Sequence, residues 1–255
     1  MNKKIIIGNW KMNPETLEEA KSIAAKVRQV SSDLKHMSTV VCPPFVFINS
    51  CTPKIGSKNF QIGAQSVSFE ENGPFTGQVS ASMLKDLGVE YVIVGHSEER
   101  LRGDTNGTVS KKIAAILNSG LSPVVCIGEA VRDNETGSHF EFIRNQMKET
   151  FADIPKNSAS DIIVAYEPLW AIGAKEVMRP ELIYEMVLFV KKTFADIFGN
   201  DAVKKVRVLY GGSVNSNNAF DIVKTGQVDG LLVGRESVSI VGFTELLKTV
   251  DVIEP

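Results

Sequence analysis

The chain has 255 residues, 43% of them hydrophobic and 23% charged, which is an ordinary balance for a globular protein with a sizeable core. Its 28 basic and 30 acidic residues leave a net charge of -2, without any block of Lys or Arg. This composition argues against the basic surface on which nucleic-acid binding depends, so we expect no nucleic-acid partner. An anionic small substrate stays open, because such a site depends on local donors rather than on net charge.

The cysteines and the N-terminal segment indicate the compartment. Cys42, Cys51 and Cys126 include no CxxC pair, so no structural zinc site is expected, and their odd number argues against a disulfide scaffold. The apolar run Ile5–Ile7 is far too short for a signal peptide or a membrane span. We expect a soluble cytoplasmic protein without a membrane partner.

Short apolar runs alternate along the chain with longer stretches of helical periodicity. Runs such as YVIVG and DIIVAY are apolar throughout, which is typical of strands buried on both faces of a parallel sheet. We predict strands at Lys4–Trp10, Thr39–Cys42, Gln61–Ala64, Tyr91–Gly95, Pro123–Ile127, Ile162–Tyr166, Val206–Tyr210 and Gly230–Val233.

Proline and glycine mark the ends of the helical stretches. Pro14 and Pro180 suit the first turn of a helix, and Gly120, Gly199 and Gly226 are typical residues just past a helix end. We predict helices at Pro14–Val30, Thr105–Ser119, Pro180–Phe198 and Asn215–Thr225.

Eight right-handed βα units close naturally into a (β/α)8 barrel. The rival architecture is a doubly wound open sheet, which usually carries a glycine-rich dinucleotide turn after its first strand. Here the first strand is followed by GNWKMNP instead. The predicted fold class is therefore α/β, a single (β/α)8 barrel domain over residues 1–255.

The functional groups of such a barrel gather just past the carboxyl ends of its strands. Asn9 and Lys11 follow strand 1 on the same side of an extended segment, although this motif alone favours a turn Asn and a surface Lys. His96 follows strand 4 at the start of a short helix, with Ser97 as a candidate N-cap. The positive end of the helix dipole favours a neutral imidazole that can donate to a carbonyl; a structural histidine is the alternative.

Glu167 ends strand 6 within AYEPLWAIG. An unpaired buried carboxylate is costly in a core, but burial raises its proton affinity toward the range in which a general base operates. The mixture of Pro, Trp, Gly and Ala that follows is typical of a mobile lid. The alternative is a salt bridge at the edge of the sheet, followed by an ordinary loop.

Glycines follow the last two strands, in Gly211-Gly212-Ser213 and in Gly234-Arg235. Glycine lets backbone N–H groups approach a ligand, and barrels often bind phosphate in these two loops, although one GGS is also a plain turn. Together with a carboxylate, a neutral histidine and a lysine, these loops suit proton abstraction next to a carbonyl in a phosphorylated substrate. No metal-ligand cluster competes with this interpretation.

Four segments resemble the signature segments of the triosephosphate isomerase family in order and spacing: GNWKMN at 8–13, GHSE at 95–98, AYEPLWAIG at 165–173 and YGGSV at 210–214. The resemblance covers essentially the whole chain. It implies a TIM barrel that interconverts dihydroxyacetone phosphate and D-glyceraldehyde 3-phosphate through an enediolate, in glycolysis and gluconeogenesis. It also implies that no cofactor is needed.

The resemblance implies a role for each site residue. Glu167 would move a proton between C1 and C2, and neutral His96 would polarise the carbonyl. Lys11 would supply positive charge, Asn9 would hydrogen-bond the substrate oxygens, and residues 168–178 would form a closing lid. Further residues are implied in supporting and phosphate-binding roles: Ser97 and Glu98 beside the histidine, and the backbone N–H groups of Gly173, Ser213, Gly234 and Arg235.

The resemblance further implies a homodimer, in which Thr76 of the loop after strand 3 reaches the partner. The Glu–Arg pair that usually joins the two subunits becomes Gln78 and Glu99 here, so we expect an altered interface. The lid reads AKEVM at 174–178 in place of a glycine- and lysine-containing hinge, and Arg235 replaces a glycine. Two other functions stay open: an isomerase of a four-carbon ketose phosphate on the same barrel, and a non-catalytic phosphate-binding homologue.

Overall fold

The computed structural model describes residues 3–53, 57–133, 135–171 and 178–254. Eight parallel strands pair in chain order, and the last pairs with the first, so the sheet closes into a barrel. The predicted (β/α)8 barrel is confirmed, and the open sheet is excluded. The strands are β1 (Lys4–Asn9), β2 (Met37–Cys42), β3 (Phe60–Ala64), β4 (Val89–Val94), β5 (Ser122–Ile127), β6 (Ile163–Tyr166), β7 (Arg207–Tyr210) and β8 (Gly230–Val233).

Every predicted strand is present, with ends that differ from the prediction by at most two residues. The helices that connect the strands pack against the outside of the barrel. They are α1 (Leu17–Ser31), α2 (Ile48–Cys51), α3 (Ala81–Asp86), α4 (Ser97–Leu101), α5 (Asn106–Asn118), α6 (Ser138–Thr150), α7 (Pro180–Phe198), α8 (Asn200–Val203), α9 (Ala219–Lys224) and α10 (Ile240–Asp251).

The strands are apolar on both faces because the barrel has two cores. Ile5 and Ile7 of β1 point into the barrel, where they pack with residues such as Leu209 and Leu232. Ile6, between them, belongs to the larger core between the strands and the helices. Alternate residues of one strand therefore fill different cores, which explains the unbroken apolar runs in the sequence.

Two helix predictions need correction. The first helix begins at Leu17 rather than Pro14, because the Thr16 side chain caps it by accepting the N–H of Glu19. The helix predicted from Asn215 begins at Ala219. The preceding residues form a turn instead, since asparagine side chains compete for their backbone groups: Asn218 Oδ1 accepts the N–H of Asn215 at 2.9 Å.

Candidate active site

A pocket of about 540 Å³ lies at the carboxyl end of the barrel. Because all the strands are parallel, their carboxyl ends meet at one rim, and the loops after β1, β4, β6, β7 and β8 supply the lining. The structure thus brings together residues from both ends of the chain. The lining includes all four predicted catalytic residues and three of the predicted phosphate-binding residues: Asn9, Lys11, His96, Glu167, Ser213, Gly234 and Arg235.

Glu167 directly follows β6, and its carboxylate is buried in the pocket wall. Its backbone N–H donates to the carbonyl of Ile127 at 2.8 Å, which extends the pairing between β5 and β6 by one residue. Gly211 packs against the side chain, since a Cβ there would lie 2.7 Å from Glu167 Cγ. The backbone hydrogen bond to Ile127 and the packing of Gly211 against the side chain therefore hold the carboxylate in place.

Burial raises the pKa of Glu167 above its ordinary value, because the ionised carboxylate loses hydration in the pocket wall. The adjacent Cys126 thiol is also buried, and burial together with the Glu167 charge raises its pKa well above the usual range. Cys126 therefore remains a neutral thiol beside the carboxylate. The raised proton affinity suits Glu167 to a general base, which must take up a proton during the reaction.

His96 lies two residues past β4 and caps the short helix α4 with its own side chain. Its Nδ1 accepts the backbone N–H of Glu98 at 3.2 Å, so this nitrogen carries no proton. The ring is therefore the neutral tautomer with its proton on Nε2, which lies 3.5 Å from Glu167 Oε1. The prediction that Ser97 is the N-cap is wrong, because the imidazole occupies that position and Ser97 is the first helical residue.

Lys11 lines the same pocket and has a left-handed backbone with φ of +54°, a conformation that costs a non-glycine residue about 1–3 kcal/mol. Asn9 Oδ1 accepts the Lys11 N–H at 3.1 Å. The Lys11 ammonium donates to Glu98 Oε1 at 2.6 Å. Burial opposes ionisation of Glu98, but the Lys11 hydrogen bond and charge outweigh it and lower the pKa of Glu98. The lysine is thus fixed at both its backbone and its ammonium group.

The loop after β7 carries Gly212 and Ser213 into the pocket. Gly212 cannot carry a side chain without displacing Tyr210, because its Cβ would overlap the tyrosine hydroxyl. Ser213 Oγ donates to the carbonyl of Ala171 at 2.9 Å, which joins this loop to the segment after β6. At Gly212 the loop after β7 therefore presents backbone rather than a side chain to the pocket.

The loop after β8 carries Gly234 and Arg235, and Arg235 begins a 3-10 turn over residues 235–238. A Cβ on Gly234 would lie 3.6 Å from Lys11 Cε, so this loop runs beside the lysine stem. The Arg235 side chain is exposed at the pocket. Gly173, the remaining predicted phosphate-binding residue, lies outside the described residues.

Within residues 3–53, 57–133, 135–171 and 178–254, no group of three or more His, Cys, Asp or Glu side chains could hold a metal ion. In the same ranges, no helix combines the length and the apolar character that crossing a membrane requires.

The chain resembles known proteins over nearly its whole length. The triosephosphate isomerase family model matches residues 4–250. Triosephosphate isomerase of Endomicrobium trichonymphae is 38% identical over 249 residues, which cover 97% of this chain and 99% of the relative. Those of Chlamydia trachomatis serovar D and Moorella thermoacetica are 37% and 38% identical, covering 98% and 97% of this chain and 91% and 98% of the relatives.

The chain belongs to the triosephosphate isomerase family. It is therefore an isomerase, as the four sequence segments indicated. The four segments lie at or just past the carboxyl ends of β1, β4, β6 and β7, and each contributes residues to the pocket.

A buried glutamate near the pocket, Glu129, was not predicted from the sequence. Glu129 lies two residues past β5 and is buried, and its Oε1 accepts the Tyr166 hydroxyl at 2.8 Å and Trp170 Nε1 at 2.9 Å. Its carbonyl accepts the N–H of Leu169 at 2.9 Å. Glu129 therefore anchors the start of the predicted lid directly beside Glu167. Residues 172–177, the central part of that predicted lid, lie outside the described residues.

Gln65 is a second residue that sequence analysis missed. It directly follows β3, and its side-chain Nε2 donates to the carbonyls of Lys11 at 2.7 Å and Cys42 at 2.9 Å. The sequence signal that could have identified Gln65 and Glu129 was their position, since each stands just past the end of a strand. Nothing in their residue types marked them as part of the site.

The buried carboxylate of Glu167 should lower the stability of the ligand-free protein near neutral pH. Its folded-state pKa lies above the ordinary value of 4.5, so the unfolded state releases this proton more readily. The penalty is absent below the unfolded pKa, grows as pH rises through the window between the two pKa values, and is fully present above the folded one.

We therefore expect Glu167→Gln to raise the melting temperature, and to raise it more at about pH 8 than at about pH 5. Thermal unfolding followed by circular dichroism measures both values. Glu181→Gln, the same change on an exposed residue of α7, is the control and should leave the melting temperature unchanged. An equal gain at both pH values would contradict the raised pKa.

Proposed function

We propose that this pocket interconverts dihydroxyacetone phosphate and D-glyceraldehyde 3-phosphate, with Glu167 as the base and neutral His96 as the electrophile. Membership of the triosephosphate isomerase family supports the reaction. The observation that carries the assignment of roles is the buried Glu167 carboxylate 3.5 Å from the Nε2 of His96. A base and a proton donor this close suit a substrate whose reacting C–H bond and carbonyl are adjacent.

In the ketose-to-aldose direction, Glu167 takes a proton from C1, and the C–H electron pair forms the C1–C2 double bond of the enediolate. The carbonyl electron pair moves to O2, to which the His96 Nε2–H donates. O2 then takes the proton from His96 Nε2, and O1 gives its own proton to that nitrogen, which restores the neutral imidazole. Glu167 returns its proton to C2, and O1 becomes the aldehyde oxygen. Each step is a proton transfer between groups already held in place, which accounts for a reaction without a cofactor.

Lys11 and Asn9 complete the proposed catalytic set. The Lys11 ammonium lies in the pocket and places positive charge where the enediolate oxygens develop negative charge. Asn9 uses Oδ1 to hold the Lys11 N–H, which leaves its Nδ2 donors for substrate oxygens. Glu98 supports this arrangement by holding the ammonium, and Ser97 stays a proposed supporting residue at the same turn.

For the phosphate we propose the backbone N–H groups of Ser213, Gly234 and Arg235, together with that of Gly173. The loops after β7 and β8 support this assignment, because Gly211, Gly212 and Gly234 line the pocket and let a ligand approach the backbone closely. A lid over residues 168–178 would exclude water, which strengthens electrostatic stabilisation of the enediolate. The anchoring of Trp170 on Glu129 supports a fixed hinge at the start of that lid.

The test of the reaction is a coupled assay with D-glyceraldehyde 3-phosphate, without added metal and beside a Glu167→Ala control. We expect turnover that the control loses. A four-carbon ketose phosphate is the second substrate, and turnover of that compound alone would replace our proposal with the first alternative. Binding of inorganic phosphate without turnover of either sugar would indicate a non-catalytic homologue.

We also propose that the protein is a homodimer. Large exposed apolar side chains follow four consecutive strands, β1 to β4, which are neighbours in the barrel. They therefore share one side of the molecule, where Thr76 also lies in the loop after β3. The Glu99 carboxylate is held within its own chain by Arg102 and Ser66, which supports an altered interface near Gln78. The apolar residues are Met12, Phe45, Val46, Phe69, Phe75, Met83 and Leu101.

Val46→Asp should dissociate this dimer, because association would bury an unpaired carboxylate. Sedimentation velocity over a range of protein concentrations measures the monomer fraction. Val241→Asp is a matched control, since Val241 is 67% exposed and Val46 79% exposed, but Val241 lies on α10. Equal behaviour of the two variants would contradict the proposed interface.

The remaining expectations concern the whole chain. We propose one domain over residues 1–255 that works in the cytoplasm, without a nucleic-acid partner. The three free, buried cysteines support a reducing compartment, and the net charge of -2 supports the absence of nucleic acid.

A further inference from the structure

The Gln65 side chain bridges the loop that follows β1 and the last residue of β2. Its Nε2 donates one hydrogen bond to the carbonyl of Lys11 at 2.7 Å and another to the carbonyl of Cys42 at 2.9 Å. The Cys42 carbonyl also accepts the N–H of Trp10 at 3.2 Å, which continues the pairing of β1 with β2 beyond the last strand residue. Gln65 thus ties Lys11 to a rigid part of the barrel.

The backbone of Lys11 requires such support. Its φ of +54° lies in the left-handed region, which a lysine adopts only when its surroundings hold it there. Asn9 Oδ1 accepts the N–H of Lys11 at 3.1 Å, and Gln65 donates to its carbonyl. The peptide groups on both sides of the Lys11 Cα are therefore each held by a side chain. Asn9 holds one from the end of β1, and Gln65 holds the other from the loop after β3.

We propose that Gln65 is a positioning residue for catalysis, which fixes the left-handed backbone of Lys11 and thereby aims its ammonium into the pocket. This inference rests on the proposed role of Lys11. The chemistry requires an amide at position 65, because its single NH2 group supplies two donors to two carbonyl oxygens. A glutamate has the same shape, but its carboxylate oxygens can only accept hydrogen bonds, as can the two carbonyl oxygens that they would face.

A double-mutant cycle tests whether Gln65 acts through Lys11. We expect Gln65→Ala to lower kcat/KM by about ten- to a hundredfold, since a small displacement of a catalytic group has effects of this size. In a Lys11→Ala background, the same change should lower kcat/KM by less than about twofold, because the group it positions is gone. Losses that multiply independently in the double variant would overturn the proposal.

Gln146→Ala is the matched control for this cycle. Gln146 is also a largely buried glutamine that holds a loop at the carboxyl end of the barrel, since its Oε1 accepts the N–H of Gly128 at 3.0 Å. We expect its effect to be the same with and without Lys11. Coupling of Gln146 to Lys11 as strong as that of Gln65 would mean that any loosened loop has this effect, and would overturn the specific role.

Two further measurements test the positioning role. One distinguishes it from a simple packing role of the side chain, and the other does not depend on the proposed reaction. Gln65→Glu keeps the side-chain shape but loses the donors, so it should lower kcat/KM at least as much as Gln65→Ala; full activity in this variant would overturn the proposal. The crystal structure of Gln65→Ala should have Lys11 released from a positive φ. A Lys11 backbone and ammonium that stay in place would also overturn it, and this result does not depend on which sugar phosphate is the substrate.

Discussion

Glu167→Asp should lower kcat by roughly a hundredfold or more, with little change in the folded structure, because a shortened side chain withdraws the carboxylate from the substrate carbon by about 1 Å. The backbone of Glu167 cannot move to compensate, since its N–H is bonded to Ile127 and Gly211 packs against its side chain. The steady-state rate with D-glyceraldehyde 3-phosphate measures the effect.

The KM in this variant should change much less than kcat, because the phosphate contacts proposed for the loops after β7 and β8 do not involve the base. Glu181→Asp, the same change on an exposed residue of α7, is the control for a nonspecific effect. Full activity of Glu167→Asp would show that Glu167 is not the base. This conclusion would hold whatever the melting temperatures of Glu167→Asp and Glu181→Asp.

His96→Gln should lower kcat by about 10²–10³-fold, which is the usual effect of removing one donor to a developing oxyanion. The substituted side chain cannot act as the imidazole does, with Nδ1 bonded to the Glu98 N–H and a proton on Nε2 toward Glu167. The rate of the coupled assay measures the loss. His36→Gln, at the amino end of β2, is the matched control and should retain activity, because that end of the barrel lies away from the pocket.

The tautomer of His96 is open to a direct measurement. Nitrogen NMR of the labelled protein should identify an imidazole with a protonated Nε2 and an unprotonated Nδ1, and the signal should vanish in His96→Gln. A proton on both nitrogens in the active enzyme would contradict the neutral electrophile. The predicted loss of activity in His96→Gln would still hold in that case, but its explanation by a neutral imidazole would not.

The same geometry that serves catalysis lowers stability at two places. Glu167 is a buried carboxylate with a raised pKa, and Lys11 has a left-handed backbone. Neither would be selected for the stability of the fold alone, because a buried carboxylate and a strained φ each cost free energy. Features of this kind cluster where substrates bind, which is independent support for the placement of the site.

Much of this fold could be predicted from the sequence. The strands were predictable because unbroken apolar runs are typical of strands that fill two cores, and glycine or proline marked the ends of helices such as α7. The rule that barrel chemistry lies just past the strand ends identified Asn9, Lys11, His96 and Glu167, and the structure places all four in one pocket. The roles of these residues came from the resemblance to a family, and they stay proposals for this chain.

The same rule also applies to the ends of β3 and β5, where Gln65 and Glu129 stand. Their positions were available in the sequence, but their partners were not. Gln65 donates to carbonyls of residues 54 and 23 positions away, and Glu129 accepts from a side chain 41 positions away. Backbone carbonyls look alike in every sequence, so no pattern indicates which of them a side chain will meet.

The sequence by itself determined the order and nature of the elements, because apolar periodicity and residues such as Thr105 or Gly199 act within a few neighbouring residues. Only the tertiary structure decided which atoms meet. It closed β8 against β1, which brings Gly234 beside Lys11, and it gave the capping position of α4 to His96 instead of Ser97. Those outcomes depend on the packing of distant segments, whose contact energies are added only when the whole barrel has formed.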